Sequence, residues 1–129
     1  ADYLAALDGA LARLFGEFSP DLAIYLAGAD PYAGDRYGRL SLGKDGLAQR
    51  DSQVFAACAA RQIPLAVTMA GGYADRLDDI VDIHFNTVRL AALHWARYAP
   101  GCIAAALAAG EGDTAPAQDQ TTLLRPQDM

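Results

Sequence analysis

Basic residues are scarce in this chain. Its 129 residues include ten Lys and Arg against sixteen Asp and Glu, which gives a net charge of −6 and a pI of about 4.6. Seven of the nine arginines are scattered between Arg36 and Arg97. A protein that binds nucleic acid through its phosphates needs clustered Lys and Arg. We therefore expect no direct nucleic-acid binding, whereas an acidic surface suits a cationic partner.

Long apolar runs and a cysteine framework are also absent. Gly, Asp or Arg interrupts every apolar run well before the ~20 residues that a membrane-spanning helix needs, and the start shows no basic and apolar secretion signal. Cys58 and Cys102 lie far apart, outside any Cys-x-x-Cys spacing, which is typical of buried thiols in a reducing compartment. These features predict a cytoplasmic protein without membrane contact.

The apolar residues that are present form helical and strand patterns. They make up 53% of the chain, enough for one globular core. Leu and Phe recur at helical spacing from Tyr3 to Phe18, which predicts an amphipathic helix. Two continuous apolar runs, Leu22 to Ala27 and Pro64 to Met69, predict strands buried on both faces of a parallel sheet. Lys44 to Arg61 is the predicted helix between them.

A third helix is predicted from Asp79 to about Tyr98. Its expected core stripe consists of Ile80, Ile83, Val88, Leu90, Ala91 and Trp95. We assign residues 1–99 to an α/β domain, and residues 100–129 to a short Ala-rich segment followed by a disordered tail. Two strands that are apolar on both faces need further strands and helices to cover them. The fold class is therefore α/β, a βαβ unit that is incomplete on its own and forms the carboxyl-terminal part of a larger domain.

Both predicted strands stop in small residues followed by one functional side chain. The first runs into Ala-Gly-Ala and Asp30, and the second into Ala-Gly-Gly and Tyr73. If the strands are parallel and joined by a right-handed crossover, their carboxyl ends share the sheet edge where open α/β sheets bind ligands. Small residues there let a ligand approach the backbone. We therefore expect Asp30 and Tyr73 on one rim.

A carboxylate opposite a phenol suits metal-assisted hydrolysis. Asp30 can ligate a zinc-type cation through oxygen, and Tyr73 can donate a hydrogen bond to a substrate oxygen as negative charge develops. On spacing alone, the alternative is that Asp30 and Pro31 start a turn and Tyr73 is an ordinary half-buried aromatic. Neither glycine-rich turn matches a phosphate-binding motif.

Taken together, the two motifs resemble the histone deacetylase superfamily. LAGADPYAGDRYGRLSLGKDGLAQRD followed by IPLAVTMAGGYAD is similar to its class IV-like and bacterial branch, which carries GDRxG after GAD. The likeness runs from about Tyr3 to Trp95. It implies an arginase-like fold with a parallel three-layer α/β/α sheet. It also implies a zinc-dependent amidohydrolase that removes acyl groups from N-acyl lysine or acylated polyamines.

The resemblance further implies roles for single residues. Asp30 corresponds to a zinc ligand, and Tyr73 to the residue that polarises the amide carbonyl. Gly71 and Gly72 correspond to the wall of the tunnel that admits the acylated amine. The adjacent pair Asp35-Arg36 is expected to hold its loop together by an ion pair or by backbone hydrogen bonds.

The rest of the family's machinery is missing upstream of Asp30. Family members take two more zinc ligands from an Asp-x-His segment and their general base and acid from adjacent histidines, whereas the histidines here are His84 and His94. Asp82-Ile83-His84 spells Asp-x-His, but inside a helix these two side chains point about 200° apart and cannot ligate one ion. A catalytic zinc needs three protein ligands. We therefore expect this chain alone to be inactive.

Three explanations account for the missing residues. The chain is a fragment, which its initial Ala instead of Met favours; or a second chain supplies the missing half; or the chain is a remnant that binds without catalysing. The expected partner is accordingly the amino-terminal half of the same domain or a second chain. The alternative function is a non-catalytic α/β module that binds through its strand-end crevice or assembles through its sheet edge.

Overall fold

Three helices and two strands alternate along the part of the chain that the structure describes. A computed structural model describes the backbone of residues 2–110 and the side chains of residues 2–97. The elements are α1 (Asp2–Glu17), β1 (Ala23–Leu26), α2 (Lys44–Ala59), β2 (Leu65–Thr68) and α3 (Leu77–Gly110). Their order is the predicted one, and the α/β class is confirmed. The predicted disordered tail lies outside the described residues from residue 111 onwards.

The third helix is longer than its sequence pattern indicated. α3 continues past Pro100 to Gly110, although its end was predicted near Tyr98. A proline interrupts the backbone hydrogen bonds of a helix, but the Ala-rich sequence beyond it has high helix propensity. The assignment of residues 1–99 and 100–129 to separate segments stays a prediction.

The two strands form a parallel sheet. Ala23 pairs with Leu65 and Leu26 with Thr68, and α2 makes the crossover between the strands. The pairing extends one step further, because the Ala27 amide donates a hydrogen bond to the Thr68 carbonyl at 2.9 Å. The carboxyl ends of both strands therefore lie on one sheet edge, as predicted.

Within the described residues, one face of this sheet is covered and the other is open. Tyr25 packs edge-on against Phe55 of α2, with ring centroids 6.0 Å apart. On the opposite face Ile24 and Leu26 are 63% and 65% exposed. The prediction that the strands are buried on both faces is therefore wrong for the part of the chain that the structure describes. An apolar run reports that a face is suited to burial, but the layer that would cover this face is not among residues 2–110.

The core lies between α2, α3 and the loop that follows β1. Ala29, Leu47 and Ile83 are buried at its centre, and Tyr32, Leu42 and Ile80 pack around them. The predicted core stripe of α3 is wrong in two places, because Val88 and Trp95 are 58% and 64% exposed. α3 is apolar on more than one side, so its sequence alone does not indicate which side faces α2.

Candidate active site

Asp30 lies four residues past β1, in a loop that we call the Asp30 loop (residues 27–43). A β-carbon on Gly28 would lie only 2.5 Å from its Oδ2 atom, and one on Gly71 only 2.9 Å from the same atom. Both positions therefore require glycine if the carboxylate is to stay where it is. Asp30 is exposed, and within the described residues its carboxylate accepts no hydrogen bond and forms no ion pair. It is available to a ligand.

Tyr73 lies five residues past β2, in what we call the Tyr73 segment (residues 69–76). Its ring is exposed and meets the ring of Tyr37 edge-on, with centroids 5.3 Å apart. Within residues 2–97 its hydroxyl has no hydrogen-bond partner. A phenol in this state can donate a hydrogen bond to an incoming carbonyl oxygen.

Backbone hydrogen bonds join the Asp30 loop to the Tyr73 segment. The amide of buried Ala29 donates to the Gly71 carbonyl at 2.6 Å, and the Arg36 amide donates to the Tyr73 carbonyl at 3.2 Å. Gly72 packs closely here, since a β-carbon on it would lie 2.8 Å from the β-carbon of Ala29. The structure thus brings the two predicted site residues onto one rim, in loops that contact each other.

Asp35 contributes its side chain to the same junction. Its Oδ2 atom accepts a hydrogen bond from the Tyr73 amide at 2.6 Å, while Oδ1 accepts from the amides of Tyr37 and Gly38 at 2.8 and 2.7 Å. These backbone donors, first of all Tyr73, lower the pKa of the Asp35 carboxyl below its ordinary value. The expected backbone hydrogen bonds of Asp35 are present. Arg36 instead pairs with Asp75 at 2.5 Å.

A buried cluster of charged residues on α2 contacts the backbone of the Asp30 loop. This cluster was not predicted from the sequence. Arg50 and Asp51 are 4% and 1% exposed. Arg50 Nη1 donates to the Gly28 carbonyl at 2.6 Å, and Nη2 donates to Asp51 Oδ1 at 2.8 Å. The hydroxyls of Tyr25 and Thr87 also donate to Asp51, each at 2.6 Å. Burial, with the hydrogen bond to Asp51, raises the pKa of Tyr25 above its ordinary value.

The sequence did carry a signal for this cluster. Leu47 and Val54 are apolar residues that helical spacing places on one side of α2, and residues three and four positions from each of them share that side. Arg50 and Asp51 occupy those positions. Charged residues inside an apolar stripe are seldom buried unless they are paired, so their spacing predicts a buried ion pair.

The Asp-x-His sequence of α3 takes another role. Asp82 forms an ion pair with Lys44 of α2 at 2.6 Å, and Lys44 also contacts Asp79 at 2.7 Å. No group of three His, Cys, Asp or Glu side chains that could hold a metal ion occurs within residues 2–97.

Among the helices of the described part, none is long and apolar enough to cross a membrane.

Similarity to known proteins places these features in a family. The histone deacetylase domain profile matches residues 1–88. An uncharacterized protein of Picosynechococcus is 39% identical over 82 residues, which are 64% of this chain and 27% of that protein. Histone deacetylase 2 of Arabidopsis thaliana is 42% identical over 72 residues, 56% of this chain and 19% of that protein. The chain thus spans about a quarter or less of these curated relatives. It belongs to the histone deacetylase family.

Proposed function

We propose that this chain is the carboxyl-terminal portion of a zinc-dependent deacetylase, a hydrolase that removes acyl groups from N-acyl lysine or from acylated amines such as polyamines. The observation that carries the proposal is the shared rim. Asp30 and Tyr73 follow two adjacent parallel strands, and hydrogen bonds join their loops. Family membership supplies the reaction class, and the rim supplies the residues.

Asp30 fits the part of a zinc ligand. Its carboxylate is exposed and unpaired within the described residues, and it stands against two glycines that leave no room for a side chain. A zinc ion bound in such a site supplies Lewis acidity and activates water. It requires three protein ligands, so the proposal calls for two more from outside the described residues.

Tyr73 supplies the hydrogen bond that polarises the acyl carbonyl. Its exposed phenol is a hydrogen-bond donor at the rim, and such a donor stabilises the negative charge that develops on the carbonyl oxygen during hydrolysis. Gly71 and Gly72 form the proposed wall of the substrate tunnel. The positions where their side chains would stand are filled by Asp30 for Gly71, and by Ala29 and Ile80 for Gly72.

The proposed partner is the amino-terminal half of the same domain, carried by the same chain or by a second one. It would supply the remaining zinc ligands and the general base. The open sheet face supports this proposal, because Ile24 and Leu26 expose apolar surface next to the site and burial of such surface drives association. We further propose a cytoplasmic location, in keeping with the buried free thiol of Cys58.

The proposal is tested in the full-length protein, meaning the longest natural chain that contains this sequence. Asp30→Ala should abolish zinc binding, measured as metal content after dialysis. Tyr73→Phe should keep the zinc and lower kcat by about 10²–10³-fold on an N-acetyl-lysine peptide or an N-acetylated polyamine. Tyr37→Phe removes a hydroxyl from the neighbouring ring and is the matched control, with little change expected.

Two results would contradict the proposal. Full zinc content in Asp30→Ala would remove the metal role, and unchanged turnover in Tyr73→Phe would remove the oxyanion role. A natural species of 129 residues that binds no zinc and hydrolyses neither substrate would instead support the non-catalytic module. Intact mass measurement of the natural protein identifies which species exists.

A further inference from the structure

The side chain of Asp35 holds the backbone of Tyr73. The contact at 2.6 Å joins a carboxylate oxygen to an amide that belongs to the other loop. Hydrogen bonds to an ionised acceptor are shorter and stronger than those between neutral groups. The second carboxylate oxygen is used within the Asp30 loop itself, by the amides of Tyr37 and Gly38. One side chain therefore fixes both loops relative to each other.

The carbonyl of Tyr73 is held from the same side. It accepts a hydrogen bond from the Arg36 amide at 3.2 Å, and Asp35 and Ala74 form an isolated antiparallel bridge. Both polar backbone groups of Tyr73 are thus bonded to consecutive residues of the Asp30 loop. This fixes the direction of the Cα–Cβ bond, and only the side-chain torsions remain to place the phenol.

The Asp35 carboxylate binds the backbone amides of Tyr37, Gly38 and Tyr73 and no cation among the described residues. Its neighbour Arg36 pairs with Asp75, and no cation forms an ion pair with Asp35 within the described residues. The backbone donors lower its pKa, so the carboxylate is ionised at neutral pH and makes charge-assisted hydrogen bonds. Replacing the Asp35 side chain by the methyl group of alanine would leave the Tyr73 amide without this acceptor.

We propose that Asp35 is a positioning residue for Tyr73, which sets the separation between the phenol and the group held at Asp30. This inference rests on the proposed function. Asp35 contacts the backbone of Tyr73 and acts through it. A displacement of about 1 Å in a catalytic group can cost about 10²-fold in rate. Loss of the Asp35 carboxylate should therefore lower kcat without changing the zinc site.

The test is a double-mutant cycle in the full-length zinc-loaded protein. Asp35→Ala should lower kcat by about 10–100-fold and leave the zinc dissociation constant within about twofold of wild type. Asp35→Asn keeps one oxygen acceptor and should recover part of the rate. In the Tyr73→Phe background, Asp35→Ala should add no more than about a twofold loss, because a residue that acts through the phenol has nothing left to position.

A second measurement does not depend on activity. Amide hydrogen exchange at Tyr73 should be faster in Asp35→Ala than in wild type, because the amide has lost its acceptor. Asp75→Asn is the matched control. It removes an equal charge from a carboxylate that binds Arg36 of the same loop but not Tyr73, so it should change neither kcat nor the exchange rate.

Each outcome bears on a different claim. If Tyr73→Phe lowers kcat but Asp35→Ala leaves it at the wild-type value, the inference about Asp35 is wrong and the proposed function stands. The same holds if the losses of the two single variants multiply in the double variant. An equal loss of zinc affinity in Asp35→Ala also overturns it, since Asp35 would then hold the metal loop. Wild-type turnover in Tyr73→Phe overturns the proposed function, while the Tyr73 exchange rate still reports whether Asp35 holds that backbone.

Discussion

The guanidinium of Arg50 donates a hydrogen bond to the carbonyl oxygen of Gly28 at 2.6 Å, two residues before Asp30. The same side chain neutralises Asp51, and both residues are buried. Arg50→Met keeps most of the volume but leaves the Asp51 carboxylate buried without its cation. Removing one partner of a buried pair costs about 3–5 kcal/mol. Urea denaturation of the full-length protein should show a loss of this size.

Tyr25→Phe is the control for that variant. It removes one hydrogen bond to Asp51 and leaves the contact between Arg50 and Gly28 intact. A hydrogen bond to a charged group is worth about 1.5–3 kcal/mol, so the loss should be smaller. Equal losses in the two variants would contradict the view that Arg50 has the larger role.

Sequence periodicity predicted the element order because each element is long enough to show its own pattern. The strand runs from Leu22 and from Pro64 became β1 and β2, each shorter by one residue at either end. Periodicity did not indicate what lies against each face. The apolar run around Ile24 has the same composition whether its outer face is covered or open, because the covering layer comes from residues distant in sequence.

The site, like the fold, could be predicted from the sequence only in part. Parallel strands joined by a helix put Asp30 and Tyr73 on one edge, and this followed from topology alone. The hydrogen bond from the Tyr73 amide to Asp35 did not follow, because it depends on how two irregular loops fold against each other over 38 positions of sequence. The cluster around Arg50 was predictable in part. The helical spacing of its residues indicates that they are buried, whereas the contact with Gly28 cannot be inferred from the sequence.

Gly71→Ala should weaken zinc binding at the site proposed for Asp30. The added methyl group would run into the carboxylate of Asp30, which must then move. Disturbing the groups that orient a metal ligand typically costs about 10–100-fold in metal affinity. The zinc dissociation constant of the full-length protein, measured by competition with a chelator, should rise by this factor.

The control for that substitution is Gly46→Ala in α2. Its methyl group would meet Leu42 at an ordinary contact distance of 3.5 Å, and alanine is favoured over glycine in a helix by about 1 kcal/mol. Zinc affinity should stay at the wild-type value and stability should rise. If both alanine variants retain full zinc affinity, the prediction that position 71 requires glycine beside Asp30 is wrong.

The stability of the protein should fall in mildly acidic solution because of His94. This side chain meets the ring of Phe55 with centroids 5.3 Å apart, and burial, followed by the charge of Arg97, lowers its pKa. The unfolded chain therefore binds the proton more readily than the folded one. Stability is lost as the pH falls through the ordinary histidine pKa of about 6.5.

The measurement is the free energy of unfolding between about pH 8 and about pH 5, in the full-length protein and in His94→Gln. The substitution removes the titrating group. As the pH falls, the free energy of unfolding should therefore decrease more in wild type than in the variant. A difference that stays constant across this range would show that protonation of His94 does not contribute.

The open sheet face gives a test of the proposed partner half. Leu26 is 65% exposed within the described residues, so a carboxylate at this position is harmless if the face stays in water. If the amino-terminal half of the domain covers the face, Leu26→Asp buries an unpaired charge, at a cost of about 3–5 kcal/mol. Gln49→Asp, on an exposed position of α2, introduces the same charge as a control and should cost little. Urea denaturation of the full-length protein separates the two variants. Equal tolerance of both would mean that the apolar face is not covered, and the proposal that the chain is one portion of a larger α/β sheet would lose its structural support.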